Sequence, residues 1–246
     1  MTALACRVLP FAIADGPHNM AADEGLLRSA ARGVASLRFY GWARPTISLG
    51  YFQPAARRLE DLLLRDLPFV RRPTGGDALV HDREITYCLA VPLPGPQREQ
   101  GQPWLRMHAV VVAALADLGV TARLHAPSGG EGPFTGFLCF EHLTAGDVLV
   151  GTAKVVGSAQ RKQRGAVMQH GGILLATSPH TPALPGIREM SGVAVDPAEL
   201  RSSVVRLLDR QPGWRVEAGS WTKEEERLIE EMARDRYATD AWNRKR

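Results

Sequence analysis

The sequence predicts an α/β (α+β) fold with helices flanking a mostly antiparallel or mixed central sheet. Three observations carry this expectation. Period-two apolar stretches follow one another more often than they alternate with helices, which argues against a regular βαβ fold. Helical patterns are inserted between the strands and gathered after them. The 246 residues, 45% hydrophobic, hold enough apolar material for one substantial core, so a single domain over 1–246 is expected.

Along the chain, Asn19 is read as the cap of an amphipathic helix over 20–32, with Asp23 and Glu24 in its first turn, where negative charge is favourable. SLRFYGW and TISLGYF alternate as strands, with Pro45 in a turn between them. Residues 57–65 suggest a short helix ending before Pro68, and FVRR a short strand. In EITYCLAV, Ile85, Tyr87, Leu89 and Val91 share one face and Thr86, Cys88 and Ala90 the other. The Pro- and Gly-rich stretch 92–103 reads as a loop. From Trp104 to Leu118 the spacing of His108, Val111, Val112, Leu115 and Leu118 gives a helix. A glycine-rich excursion occupies 126–136. DVLVG and KVVGSA then form strands turning near Gly151-Thr152, and GAVMQHGGILL another. Asp196 with Pro197 starts one late helix, and the capping box Thr222 to Glu225 starts a second.

Composition narrows the function classes. Lys and Arg outnumber Asp and Glu by 30 to 26, a net charge of +4. That excess fits a solvated surface or a mild preference for acidic partners. The basic clusters Arg71-Arg72 and 161–164 are short and belong to no nucleic-acid module, so no nucleic acid is expected. No run reaches the roughly eighteen apolar residues of a membrane span, and the start lacks the order of a secretion signal. A cytoplasmic protein is expected. Three cysteines without a CxxC give neither a disulfide framework nor structural zinc, and the seven histidines form no close ligand pair, so no metal is expected.

Glycine and polar side chains concentrate at 71–82, 151–160 and 169–172, each beside an apolar strand. Each alone could be a hairpin turn; together they look like walls of a site, because glycine permits close backbone approach to a ligand. None matches a P-loop, a GxSxG elbow or HExxH. Cys139 follows the glycine-rich excursion, where it is either a buried structural cysteine or a nucleophile. A nucleophilic thiolate needs a nearby cation or backbone dipoles; Lys154, Arg72 and several histidines are candidates.

These segments carry a resemblance. NMAADEGLL, FYGWARPTISLGYFQP, RRPTGGDALVHDREITY, GTAKVVGSAQRK and MQHGGILL, in this order, resemble the biotin/lipoate protein ligase superfamily over most of the chain. Within it, the chain looks most like the octanoyl-[acyl-carrier-protein]:protein octanoyltransferases of the Bacillus type. The resemblance implies a biotin/lipoate ligase catalytic-domain fold with Cys139 as nucleophile, in the pair Cys139-Phe140, and Lys154 as the catalytic lysine. The substrate pocket it implies is formed by Arg72, Gly75, Gly76 and His81, and by Gly157, Ser158, Ala159, Gln160, His170 and Gly171. His170 is expected to orient Lys154, to relay a proton or to serve structurally, and Val80 and Tyr87 to line an acyl tunnel.

The implied reaction moves an octanoyl group from octanoyl-acyl carrier protein, through a Cys139 thioester, to a lysine of a lipoyl domain (glycine cleavage H protein or a dehydrogenase E2 subunit), without a cofactor. An ATP-dependent lipoate ligase, a lipoyl-domain amidotransferase and a non-catalytic acyl or carrier-protein binder are the alternatives. Two stretches depart from the family's pattern. Asp77 stands where glycine or arginine is usual; its carboxylate is expected either to repel the phosphates of ATP or an acyl adenylate or, equally, to alter how a phosphopantetheine arm enters. The residues after Cys139-Phe140, at 141–146, also differ.

Overall fold

The computed structural model describes residues 3–93, 103–126, 136–163 and 165–246. Most of the expected 92–103 loop and the 126–136 excursion lie outside them. The chain begins with β1 (Leu4–Val8) and β2 (Ala12–Ala14), followed by α1 (Gly16–Ala31), β3 (Ala35–Trp42) and β4 (Thr46–Leu49). Next come β5 (Phe69–Arg71), β6 (Leu79–His81), β7 (Glu84–Pro92), α2 (Pro103–Asp117) and β8 (Ala122–Leu124). The third stretch holds β9 (Val148–Val150), β10 (Ala153–Gln163) and β11 (Ala166–Leu174). Then follow α3 (Ile187–Ser191), α4 (Pro197–Asp209), β12 (Trp214–Ala218), α5 (Lys223–Met232) and α6 (Asp240–Asn243).

The larger sheet is mixed. Its order is β12-β1-β3-β7-β11-β10-β9-β8, with β2 also on β3. The β12–β1, β1–β3 and β2–β3 pairs are parallel, and every pair from β3 to β8 is antiparallel. β5-β4-β6 form a separate small sheet. β3 and β4, adjacent in sequence across Pro45, therefore do not pair as a hairpin; the turn sends the chain from one sheet into the other.

The period-two pattern of β7 decides the layering. Ile85, Tyr87, Leu89 and Val91 pack into a core shared with Met107, Val111 and Leu115 of α2 and Leu200, Val204 and Leu208 of α4. Cys88 and Ala90 face the opposite way, against Leu26, Leu27 and Ala30 of α1. Burying such an aliphatic side chain contributes about 1.5–3 kcal/mol, so a one-residue slip of β7, which exchanges its two faces, would mispack both layers at once.

Two elements differ from expectation. α1 starts a turn earlier than its apolar pattern suggested, because Asp15 caps it by accepting from the His18 amide at 2.9 Å, with Pro17 in the first turn. Asn19 is instead buried inside the helix and donates to the Ala14 and Gly41 carbonyls, so Asp23 and Glu24 fall beyond the first turn. The segment expected as a helix over 57–65 is a 3-10 turn at Ala55–Glu60. The late helices start where their caps predicted. Asp196 accepts from the Ala198 amide, and Thr222 and Glu225 form the reciprocal box.

Glu225 also binds α5 to the rest of the fold. It accepts from Arg7 of β1 and from Ser29 of α1. Burial alone would raise its carboxyl, but the Arg7, Ser29 and Thr222 hydrogen bonds and the Arg7 charge hold it at about 2 rather than the usual 4.5. A depressed folded value contributes stability that is full above pH 4.5 and is lost as pH falls through about 2. Acid titration of unfolding should therefore show a smaller loss between those limits for Glu225→Gln than for the wild type.

Candidate active site

The 71–82, 151–160 and 169–172 segments meet around one pocket of about 490 Å³, part of it open to solvent. β11 lies between β7 and β10 in the large sheet, which brings His170 and Gly171 beside Gly157-Ser158-Ala159. Gly171 pairs with Ser158, and a Cβ on it would stand 2.4 Å from the Gly157 carbonyl oxygen, so only glycine allows this approach. From the small sheet, Arg72, Gly76 and His81 supply the facing wall.

Cys139 closes the mouth. It sits in a 3-10 turn, Cys139–Glu141, held by its amide on the Ala78 carbonyl at 2.8 Å and by the Glu141 carboxylate on the Leu138 amide at 3.1 Å. Cys6 and Cys88 are fully buried. Burial pushes the Cys6 thiol up to about 12 and the Cys88 thiol well above its ordinary value. Only Cys139, of the three, borders the pocket.

Lys154 lies behind Cys139. Its ammonium donates to the carbonyls of Cys139 (3.0 Å) and His142 (3.2 Å), stands 3.6 Å from the Cys139 sulfur, and pairs with Asp147 at 2.8 Å. The two side chains of that pair are 1% and 5% exposed. Asp147 is held in turn by the Thr144 amide and hydroxyl. A buried ion pair is costly to form and more costly to break from one side, so this lysine is held firmly in place at the sulfur. Gly157 makes room for it, since a Cβ there would lie 2.7 Å from Cε of Lys154. β9 pairs with β10 only as far as Val156, so the strand edge beyond it is available to the Cys139-Phe140 turn.

His170 has other partners than Lys154. Its Nδ1 faces Asp23 at 2.7 Å and its Nε2 faces the Thr74 hydroxyl at 2.7 Å. Opposite a carboxylate Nδ1 carries the proton, so Nε2 accepts from Thr74 and the ring ties the 73–76 loop to α1. Asp23 also accepts from Tyr40 and lies 3.5 Å from the Arg38 guanidinium. His170 thus positions the loop rather than the lysine.

Arg72 shapes the same loop. Its guanidinium donates to the carbonyls of Ser48, Gly75 and Asp77 and to the Thr74 hydroxyl. Burial lowers its pKa, and the neighbouring Cys139 and Asp77 act in the opposite sense. Gly76, at φ +85°, makes the left-handed bend that turns these carbonyls inward. Gly75 contributes only its carbonyl, and Gln160 pairs opposite Gln169 farther along β10, so neither lines the pocket. His81 stacks on Trp42 and bonds Glu84 and Ser48.

Val80 and Tyr87, expected to line the acyl tunnel, belong to the cores of the small and large sheets. The apolar lining comes instead from Met20, Tyr40, Leu79 and Phe140. Sequence reasoning missed Asp147, Asp23 and Thr74. Asp147 had a local signal, an acid seven residues before Lys154 across a tight strand turn; the pairing of Asp23 with His170 had none.

A buried lysine held at a cysteine, with an apolar pocket beside it on this mixed sheet, defines a catalytic domain for acyl chemistry. The chain belongs to the lipoyl protein ligase A/B catalytic domain family, whose model matches residues 15–210. More closely, it is similar along its length to proteins named octanoyltransferase LipM. It is 32% identical to that of Kyrpidia tusciae, over 96% of this chain and 97% of the relative. It is also 32% identical to that of Moorella thermoacetica, over 100% of both. Among solved structures, a putative lipoate protein ligase from T. acidophilum matches with a TM-score of 0.80 at 22% identity, covering 100% of both chains. Lipoate-protein ligase A bound with ATP matches at 0.75 and 22%, covering 99% of each. At those identities the structural likeness speaks to the fold.

Proposed function

We propose that this chain is an octanoyltransferase of lipoate biosynthesis acting in the cytoplasm as one catalytic domain. It takes the octanoyl group from the phosphopantetheine thioester of octanoyl-acyl carrier protein and passes it, through a thioester on Cys139, to a lysine of a lipoyl domain. The octanoyl assignment is supported by the full-length similarity to octanoyltransferases. The relay through cysteine rests on one observation, the Lys154 ammonium 3.6 Å from the Cys139 sulfur at the mouth of an apolar pocket. Among the described residues no helix is long and apolar enough to cross a membrane.

In the first step the Cys139 thiolate attacks the donor carbonyl, and collapse of the tetrahedral intermediate expels the phosphopantetheine thiolate, which is then protonated. In the second, the acceptor amine attacks the Cys139 thioester and the sulfur leaves. Both steps build negative charge at the carbonyl oxygen and on the departing sulfur. Lys154, fixed by Asp147 and two carbonyls, meets that charge without reorganising. Met20, Tyr40, Leu79 and Phe140 hold the acyl chain.

Modification of a lipoyl domain separates this from the ligase reading. Octanoyl-acyl carrier protein without ATP should support octanoylation, and octanoate with ATP should not. The reverse pattern would overturn the proposal.

A further inference from the structure

The two stretches that depart from the family's usual pattern face each other at the pocket mouth. Asp77 lies on the lining loop after Gly76, and His142 follows Cys139 by three residues. His142 Nε2 stands 3.9 Å from Asp77 Oδ2, with side chains 22% and 30% exposed. Gln53 donates to the other oxygen, Oδ1, at 3.2 Å and so fixes the carboxylate's orientation. The His142 backbone is held as well, because its carbonyl accepts from Lys154.

That spacing is too long for a hydrogen bond between the two groups. One nitrogen placed between them, however, can reach both at about 2.8 Å, the usual length of a charge-assisted bond. The neighbourhood calls for such a device. Lys154 and Arg72 make the reacting end of the pocket positive, which opposes an incoming ammonium, and Asp77 is the one carboxylate among its lining residues. Of the other nearby acids, Asp147 pairs with Lys154, Asp23 with His170 and Glu84 with His81, and Glu141 accepts from the Leu138 amide.

Resting on the thioester reading above, we infer that Asp77 and His142 form the seat of the acceptor amine. Asp77 pairs with the lysine ammonium, and His142 is the general base that takes its proton. One N–H proton passes to His142 Nε2 and frees the lone pair. The amine attacks the Cys139 thioester carbon, forming C–N and breaking C–S. The second N–H proton goes to the departing thiolate, which restores the Cys139 thiol, and His142 returns its proton to water. Burial, then the Lys154 charge, lowers the imidazole below its ordinary value, while Asp77, Asp147 and Glu141 act in the opposite sense. His142 is thus ready to accept a proton near neutral pH.

The test separates the half-reactions. Octanoyl-enzyme is formed on the wild type, His142→Gln and Asp77→Asn, and its discharge to a lipoyl domain is followed by intact mass. Relative to its acylation rate, His142→Gln discharge should fall about 100-fold or more, with a smaller relative fall in Asp77→Asn. The wild-type discharge rate should level off above the His142 pKa. That of His142→Gln should keep rising with pH toward the ionisation of the acceptor lysine itself. Hydroxylamine, already neutral at pH 7, should discharge all three at similar rates, because it needs no base to free its lone pair, and matching circular dichroism melting curves should show the fold intact in each variant. Equal slowing of both half-reactions, or an unchanged pH profile in His142→Gln, would overturn the inference while leaving the thioester intact. Absence of an octanoyl adduct on the wild type would overturn both.

Discussion

Replacing Lys154 by Met should abolish most activity and lower stability by about 3–5 kcal/mol, the cost of leaving one charge of a buried pair uncompensated. Asp147, 5% exposed, would lose the cation it pairs with, and the Cys139 and His142 carbonyls would lose a shared donor. Those carbonyls belong to the turn that aims the Cys139 sulfur, so the geometry of the nucleophile is lost with the charge. Removal of a preorganised electrostatic contact costs about 100- to 1,000-fold in rate. The double substitution Lys154→Met/Asp147→Asn separates the effects. Its thermal unfolding should return most of the way to the wild type, because no unpaired charge remains, while transfer stays as low as in Lys154→Met. Recovery of activity along with stability would mean that the lysine serves only the fold.

The second large effect is expected at Asp23. It is fully buried and meets three side chains from two strands: Arg38 and Tyr40 on β3 and His170 on β11. Arg38 is itself 5% exposed and, among the described residues, otherwise bonded only to Asn19, with its guanidinium 3.8 Å over the Tyr40 ring. Asp23→Ala strands that guanidinium, at a cost of about 3–5 kcal/mol, or roughly 6–20 °C in Tm for a chain of this size. His170 loses the group that fixes its tautomer, and Thr74 with it, so the loop carrying Arg72 and Gly76 should loosen. Circular dichroism melting measures the first effect. Asp23→Ala/Arg38→Met should restore much of the Tm but not the loop, so transfer stays impaired. A Tm within about 2 °C of the wild type in Asp23→Ala would contradict this account of the network.

Some of this was legible in the sequence and some was not, for physical reasons. β7, β10 and β11 were legible because both faces of a central strand are buried and its alternation is read against packing on each side. Their glycines marked the pocket because only a missing Cβ lets β10 and β11 approach at Gly171. β1 and β12 were missed. Each is short, and β12 is half-exposed along its length, so it lacks an apolar face; it is a strand because it pairs in parallel with β1, more than two hundred residues earlier. Asn19 misled because a capping residue type outside its cap looks the same in one dimension; here its amide satisfies two carbonyls in the interior. Cys139 and Lys154 were singled out first by their surroundings and then by resemblance, and the geometry adds what spacing does not, their contact and the acid behind the lysine. Of the roles left open for His170, the bonds to Asp23 and Thr74 are those of the structural one, and sequence did not single it out because Asp23 lies 147 residues away on α1.

The central claim is that Cys139 carries the acyl group. Incubating the purified chain with octanoyl-acyl carrier protein in the absence of ATP, followed by intact mass spectrometry, tests it most directly. The account predicts one octanoyl adduct that hydroxylamine removes, that an added lipoyl domain discharges, and that Cys139→Ala does not form. A lipoyl domain modified from octanoyl-acyl carrier protein by Cys139→Ala, with no adduct on the wild type, would contradict it.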